Sequence, residues 1–370
     1  MGRRGRLHPS VASARNRLGE SLNQLLGPEF LASPDREPAG ALAEPALVFV
    51  ACSGGPDSLA LAAVAAHFAR RKQLRVGALV IDHQLQADSA AVAERAAEQC
   101  RQLGLAPVVV KTVGVCGGGG PEKAARDARY RAFEELAQQH AAAAILLAHT
   151  LDDQAETVLL GLARGSGGRS LSGMAPLRRA GDLSYLRPFL SLRRQNMLDI
   201  CRAEGIQPWM DPTNNDQSLL RAKIRHSILP YLQEQLGADP RPALARTAAI
   251  LGPDSQYLDK LAKKAFKEVS LAEPGLDFKV PEQAGRNFLL LERASLCQLD
   301  TALRRRVLGY AVQSLGGHNP SFERLLALDD FALSRSVAGP LQLSGHVSAW
   351  KLRPAGPYRR QGILLLAATG

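Results

Sequence analysis

The chain of 370 residues has no apolar run near the roughly 20 residues that a membrane-crossing helix needs, so no membrane association is expected. It is poor in cysteine: the five, at positions 52, 100, 116, 201 and 297, include no Cys-x-x-Cys pair. An odd, scattered set argues for reduced thiols and against zinc or iron–sulfur ligation. The basic opening Met1-Gly-Arg-Arg-Gly-Arg6 lacks the apolar segment of a secretory leader. Glu20 and the helical pattern around it favour a plain leading helix over an organelle transit peptide. These absences predict a cytoplasmic protein. No Gly-Lys pair occurs anywhere, which excludes a Walker-type P-loop. No Gly-x-Gly-x-x-Gly occurs either, even in the glycine run 117–120, which excludes a dinucleotide fingerprint. Acidic residues are in deficit, 35 against 46 Lys and Arg, for a net charge of +11. Residues 241–370 hold 18 basic against 11 acidic residues, a balance of +7. Such a face is often only solvated surface. Beside a nucleotide-activating domain it points to a polyanion such as RNA.

What is present is organised around Val48-Phe-Val-Ala-Cys-Ser-Gly-Gly-Pro-Asp-Ser58. An apolar run at 46–52 meets a Gly-Gly-Pro turn, and a Leu/Ala-rich helical pattern over 57–70 follows. Strand, glycine turn and helix start form a corner that can hold phosphate. Gly54 and Gly55 let a ligand approach the backbone. Asp57 and Ser58 fall at a helix start, where free N–H groups and the dipole favour an anion. The full set Ser53, Gly54, Gly55, Pro56, Asp57 and Ser58 is far more specific than a generic Gly-Gly turn.

In chain order, an amphipathic helical pattern at 11–26 leads into a Pro/Gly/Ala linker. Apolar runs at 46–52, 75–81, 107–113 and 144–148 then alternate with helical patterns at 57–70, 88–103 and 122–140. This alternation predicts an α/β fold, a parallel sheet flanked by helices, with ligands at the carboxyl ends of the strands. The expected divisions are an N-terminal helix and linker (1–45), a nucleotide-binding domain (46–190), connecting helices with a substrate-facing segment (191–235), and a smaller, mainly helical C-terminal domain (236–370). Strand-like runs at 345–352 and 361–367 predict a terminal hairpin there. Arg304-Arg305-Arg306, in a helical pattern over 302–314, is its candidate RNA contact.

Polar residues gather just after the apolar runs. Asp82 and His83 follow the second. His149, Asp152, Asp153 and Glu156 follow the fourth, and clustered carboxylates near phosphates suit Mg²⁺. Asp152 as a helix cap and Glu156 as a dipole partner would leave the same trace. Arg164 and Gly165 sit in a Gly/Ser-rich loop able to cradle an anion or simply to end a helix. Arg126, Arg129 and Tyr130 lie within about two helical turns, with Arg126 and Tyr130 able to share a face. Further on, Arg187, Trp209, Asp211, Asn214, Arg221, Arg225 and His226 form, with Arg129 and Tyr130, the candidate substrate-binding set; a solvated basic helix would give a similar pattern.

The hexapeptide at 53–58 resembles the PP-loop of the N-type ATP pyrophosphatases, which cleave ATP between the α- and β-phosphates. Four motifs in one order resemble the tRNA(Ile)-lysidine synthetase family: Ser53–Ser58, His149–Thr157, Arg164-Gly-Ser-Gly167 with Gly173-Met174, and Asp211-Pro-Thr-Asn214 leading to Arg221–His226. The resemblance covers roughly residues 45–235 and implies an adenine nucleotide alpha-hydrolase-like fold. It further implies ATP and Mg²⁺ as cofactors, with free L-lysine and a tRNA(Ile) bearing a CAU anticodon as substrates. Oligomeric state is left open, a homodimer included. On this reading Asp57, His149, Asp152 and Asp153 are catalytic, and Asp57, Asp152, Asp153 and Glu156 hold the metal. Ser53–Ser58, Asp82, His83, Arg126, Arg164 and Gly165 bind ATP. Gln84 and Gln86, Thr150, and Ala222 with Lys223 depart from the family pattern.

Overall fold

The computed structural model describes residues 7–27, 45–71, 74–84, 88–114, 121–165, 167–212, 216, 218–271, 281, 284–334, 339–352 and 362–368; of 121–123 only the backbone is described. Asn214, Gln86, the glycine run 117–120 and most of the linker before residue 45 lie outside these residues. The chain divides into two compact units, Met1–Ala249 and Ile250–Gly370.

In the first unit the order is α1 (Pro9–Leu26), β1 (Leu47–Ala51), α2 (Pro56–Arg70), β2 (Arg75–Asp82), α3 (Ser89–Gln102), β3 (Val108–Thr112), α4 (Pro121–Gln139), β4 (Ala144–Leu146) and α5 (Leu151–Ala163). There follow α6 (Gly168–Leu171), β5 (Leu177–Ala180), β6 (Leu183–Leu186), α7 (Arg194–Ala203), α8 (Leu220–Lys223), a π-helical turn (Ile224–Ile228) and α9 (Leu229–Leu236). The six strands run in the order β3-β2-β1-β4-β6-β5. All neighbours pair in parallel except β5 with β6, which form an antiparallel edge.

Strand β1 shows why the sheet is buried on both faces. Alternate side chains of a strand point to opposite sides. Val48 and Val50 enter a core with α1, α2, α3 and α7, through Leu18, Leu59, Ala97 and Met197. Leu47 and Phe49 enter the opposite core with α4, through Phe133 and Leu136. Helix α2 is apolar all round, and residues 58–66 are all buried, as befits a helix enclosed on every side. Strand order reverses between β1 and β4, and at such a switch point the carboxyl ends leave a crevice for ligand.

The helix α10 (Pro240–Val269) carries residues of both units. In the second unit it is followed by β7 (Ser270–Leu271), β8 (Phe288–Glu292), α11 (Arg293–Gln298), α12 (Thr301–Ser314), α13 (Phe322–Leu333), β9 (Leu341–Leu343), β10 (Val347–Leu352) and β11 (Ile363–Ala368). The expected terminal hairpin is β10 with β11, antiparallel in the register Leu352↔Ile363. It forms part of a five-stranded sheet, β7-β8-β11-β10-β9, packed on α12 and α13 through Leu364, Leu366, Val307 and Leu328.

One expectation fails in this unit. Arg304 is buried, its Nε donating to Asp329 Oδ1 at 2.5 Å and its other nitrogens to Leu299 O and Thr301. Arg305 also pairs with Asp329, at 2.8 Å, and Arg306 with Asp259, at 2.6 Å. Two carboxylates of the same unit, Asp329 and Asp259, engage all three side chains, so the triple arginine serves the fold instead of a free RNA contact.

Candidate active site

The loop after β1 is held by Ser58. Its Oγ accepts from the Ser53 N–H at 3.1 Å and donates to Gly55 O at 3.0 Å. This hydroxyl therefore shapes the loop. Gly54 has φ +79°, and a Cβ there would stand 3.1 Å from the Ala96 Cβ. Gly55 caps α2 without a side-chain hydrogen bond, and Pro56 has no N–H to satisfy. The N–H groups that open α2 thus face no capping side chain, the arrangement that favours a phosphate.

The cleft beside this loop, about 250 Å³, is lined by Ser53, Asp57, Ser58, His83, Arg129, Tyr130, His149 and Asp153, with Leu79, Ile81 and Phe133 among its apolar walls. Asp57 Oδ2 accepts from Arg194 at 2.9 Å, while its buried Oδ1 has no partner among the described residues. Burial pushes the Asp57 carboxyl up to about 6, against the pull of Arg194. Asp153 is the opposite case. Burial opposes its charge, but Arg194, the Thr150 N–H and hydroxyl and His149 hold it below the usual carboxylate range. Both Thr150 donors reach Asp153 Oδ2 at 2.8 Å, so the threonine that departs from the family pattern is the N-cap of α5.

Glu156 is fully buried and accepts a bidentate pair of bonds from Arg225, at 2.6 and 3.0 Å. Burial is the larger influence and raises its carboxyl. The π-helical turn that carries Arg225 packs Ile224 against Leu160 of α5, which brings the guanidinium over Glu156. Burial lowers His149 to about 4, so the imidazole is neutral at physiological pH, and its buried Nδ1 has no partner among the described residues. His83 is likewise lowered by burial, and its Nδ1 is also without a partner among those residues.

The PP-loop family model matches residues 23–232. The tRNA(Ile)-lysidine synthase of Leifsonia xyli subsp. xyli is 47% identical over 82% of this chain and 87% of its own. That of Streptomyces coelicolor is 42% identical over 91% and 89%. The chain belongs to the tRNA(Ile)-lysidine synthase family. The U34-tRNA thiolase NcsA of Methanococcus maripaludis, a solved structure, matches with a TM-score of 0.50 at 14% identity, over 65% of this chain and 79% of that one, a likeness of fold alone.

Within this lysidine synthase fold, several expected residues stand near the cleft without lining it. Asp82 is buried and accepts from the Gln84 N–H at 2.9 Å. The Trp209 N–H donates to Gly54 O at 2.9 Å, which places the Trp209 segment against the loop. Arg187 is buried and donates to Ala175 O at 2.8 Å. Arg126 stacks on Tyr130, 5.3 Å from the ring centroid. Arg221 is half-buried; Asp211 and His226 stand outside the cleft lining. Arg164 and Gly165 are exposed at the end of α5 and are not brought to the cleft. Asp152 faces away, accepting from the Arg194 N–H at 2.9 Å with Arg241 at 3.4 Å.

Three residues that sequence reasoning missed act from outside the cleft lining. Arg194 sits at N1 of α7, where a cation opposes the helix dipole, and that misfit is the signal that acids lie nearby. Gln154 clips the Gly173-Met174 segment, accepting from the Met174 N–H at 2.8 Å and donating to its carbonyl at 3.0 Å. Arg178 stacks on Tyr185, 4.5 Å from the ring centroid.

Among the described residues no three His, Cys, Asp or Glu side chains converge as a metal site. Two carboxylates nevertheless fit a Mg²⁺ that takes its other ligands from water and phosphate. Asp57 Oδ1 is buried and unpartnered, and Asp153 Oδ1 has only distant arginine contacts, at 3.5 and 3.8 Å. Glu156 fits poorly, because Arg225 occupies both its oxygens.

Proposed function

We propose that this chain uses ATP to join the ε-amine of free L-lysine to C2 of the wobble cytidine in a tRNA(Ile) with a CAU anticodon. The cytidine O2 attacks the α-phosphate and pyrophosphate leaves. The lysine nitrogen then attacks C2, and O2 departs with AMP, giving lysidine. The observation that carries this reading is the meeting of the PP-loop, Asp57, Asp153 and His149 in one cleft of a lysidine synthase fold.

Each residue has a task in this scheme. The open start of α2 receives the pyrophosphate portion of ATP. Asp57 and Asp153 are the residues that would hold Mg²⁺, whose charge would offset that of the phosphates. Arg194 steadies both carboxylates. His149, neutral with Nδ1 unpartnered among the described residues, can accept a hydrogen bond from the lysine amine and orient it, and at about 4 it is too weak a base to take the ammonium proton itself. RNA enters, on this reading, on the side lined by Arg129 and Tyr130, where a single-stranded loop can splay a base into the pocket. We place the reaction in the cytoplasm, in keeping with four free thiols among the described residues.

The test is incorporation of labelled lysine into total tRNA with ATP and Mg²⁺, comparing wild type with Asp57→Ala. Incorporation should require ATP, vanish in the variant and map to the CAU anticodon. AMP formation with a different amine or RNA would keep the nucleotide site and discard the substrates.

A further inference from the structure

Arg178 stands exposed on the edge strand β5, opposite Tyr185 in the register with β6. Its guanidinium lies 4.5 Å from the Tyr185 ring centroid and 5.1 Å from that of Tyr130. Arg126, exposed on α4, lies 5.3 Å from the same Tyr130 ring. Tyr130 in turn lines the cleft. Two guanidinium groups from different elements therefore meet on one aromatic residue of the cleft wall. Close by, burial holds the Arg129 and Arg187 guanidinium groups below their usual range, and Arg126 adds to the effect on both.

The acids of the cleft face other cations, Asp57 meeting Arg194 and Asp153 meeting Arg194 and Arg225. Among the described residues no carboxylate pairs with Arg126, Arg129, Arg178 or Arg187. Glu134 is directed at the Tyr185 hydroxyl, at 3.4 Å. Four like charges gathered in this way repel one another, and a polyanion relieves the repulsion.

We propose that Arg178, together with Arg126, grips the RNA backbone beside the nucleotide that enters the cleft. This rests on the reading of tRNA as substrate. Stacking on two tyrosines fixes the guanidinium plane in advance, so little side-chain freedom is lost when a phosphate binds. ATP is the other source of phosphate, but the open start of α2 receives it, and Arg178 does not line the cleft.

The experiment compares wild type, Arg178→Ala and Arg178→Lys in tRNA binding at several salt concentrations and in steady-state kinetics. Arg178→Ala should weaken tRNA binding and raise the KM for tRNA about tenfold, the worth of one charge-assisted contact. The KM values for ATP and lysine should not change. The salt dependence of log K should flatten by about 0.7–0.9, one phosphate contact fewer. Arg178→Lys should restore the slope and part of the affinity. A purely structural role would lower kcat or thermal stability with an unchanged salt slope, and that result overturns the proposal. So does a rise confined to the KM for ATP. Binding needs no turnover, so a wild type that binds tRNA without joining lysine to it refutes the proposed reaction and leaves the Arg178 comparison decisive. A wild type that does not bind tRNA overturns both.

Discussion

Arg194 donates to Asp57 Oδ2 at 2.9 Å and so ties the first turn of α7 to the first turn of α2. Its own N–H is taken by Asp152 at 2.9 Å, which anchors the helix start from which the side chain reaches. Asp57 remains at about 6 because burial outweighs this pull. It therefore loses its charge as pH falls through about 6, whereas His149, at about 4, changes state only below that. In the metal-free protein the Asp57 carboxyl, followed by NMR, should titrate near 6. In Arg194→Ala, which removes the largest opposing cation, that titration should move to higher pH. A titration that stays in place in the variant contradicts the account.

The same carboxyl burdens the fold. A raised folded-state value, about 6 against 3.8 in the unfolded chain, means that the folded chain holds the proton more tightly. Stability from this group is complete below 3.8 and is lost as pH rises through 6, by up to about 3 kcal/mol. Asp57→Asn removes the penalty along with the activity. The inactive variant should melt several degrees above wild type at pH 7.5, with the gap narrowing toward pH 4.5. Thermal melts across that range decide it, and a variant that melts below wild type at pH 7.5 contradicts the account.

Glu156 and Arg225 make a different kind of pair, because Glu156 is fully buried. Taking away the partner of a buried charge costs about 3–5 kcal/mol. Arg225→Ala should lose that much in denaturant unfolding at pH 7.5. Adding Glu156→Gln should recover the larger part, since no uncompensated charge remains. If the double variant is as unstable as the single one, the loss comes from packing of the π-helical turn and not from the charge.

How much of this could be read from residues alone follows from burial. The strands β1 and β2 are continuous apolar runs because both faces of the sheet are covered, and such runs are visible in sequence. The loop and the residues after β4 were legible for the same reason, as polar residues that follow an apolar run. The edge strand β5 was not: Leu177-Arg-Arg-Ala180 carries two exposed arginines and shows no strand period. The C-terminal sheet pairs β8 with β11, in the register Glu292↔Ile363, a distant pairing that no local pattern records. Charges were the least legible. Arg304 within three consecutive arginines looks the same on paper whether it faces solvent or, as here, Asp329. Ion-pair partners are chosen by tertiary proximity, and sequence spacing does not hold that information.

The Gly173-Met174 step has a physical cause that motif spacing could not give. Gly173 has φ +59°, and a Cβ there would meet Gln154 Oε1 at 2.6 Å. Gln154 makes both its amide bonds to the Met174 backbone, so it acts as a strap between α5 and the segment that enters β5. Gly173→Ala adds backbone strain and displaces the strap at once, a loss of about 1–3 kcal/mol. Gln154→Ala loses the strap alone and leaves the Met174 N–H and carbonyl to water. Both variants should let the segment before β5 exchange amide hydrogens faster, while protection in β1 and α2 is unchanged. Because Arg178 rides on β5, both should also weaken tRNA binding more than ATP binding. Amide exchange read residue by residue separates this from general destabilisation: uniform loss of protection across the sheet would mean that the strap holds the whole unit together, not one edge.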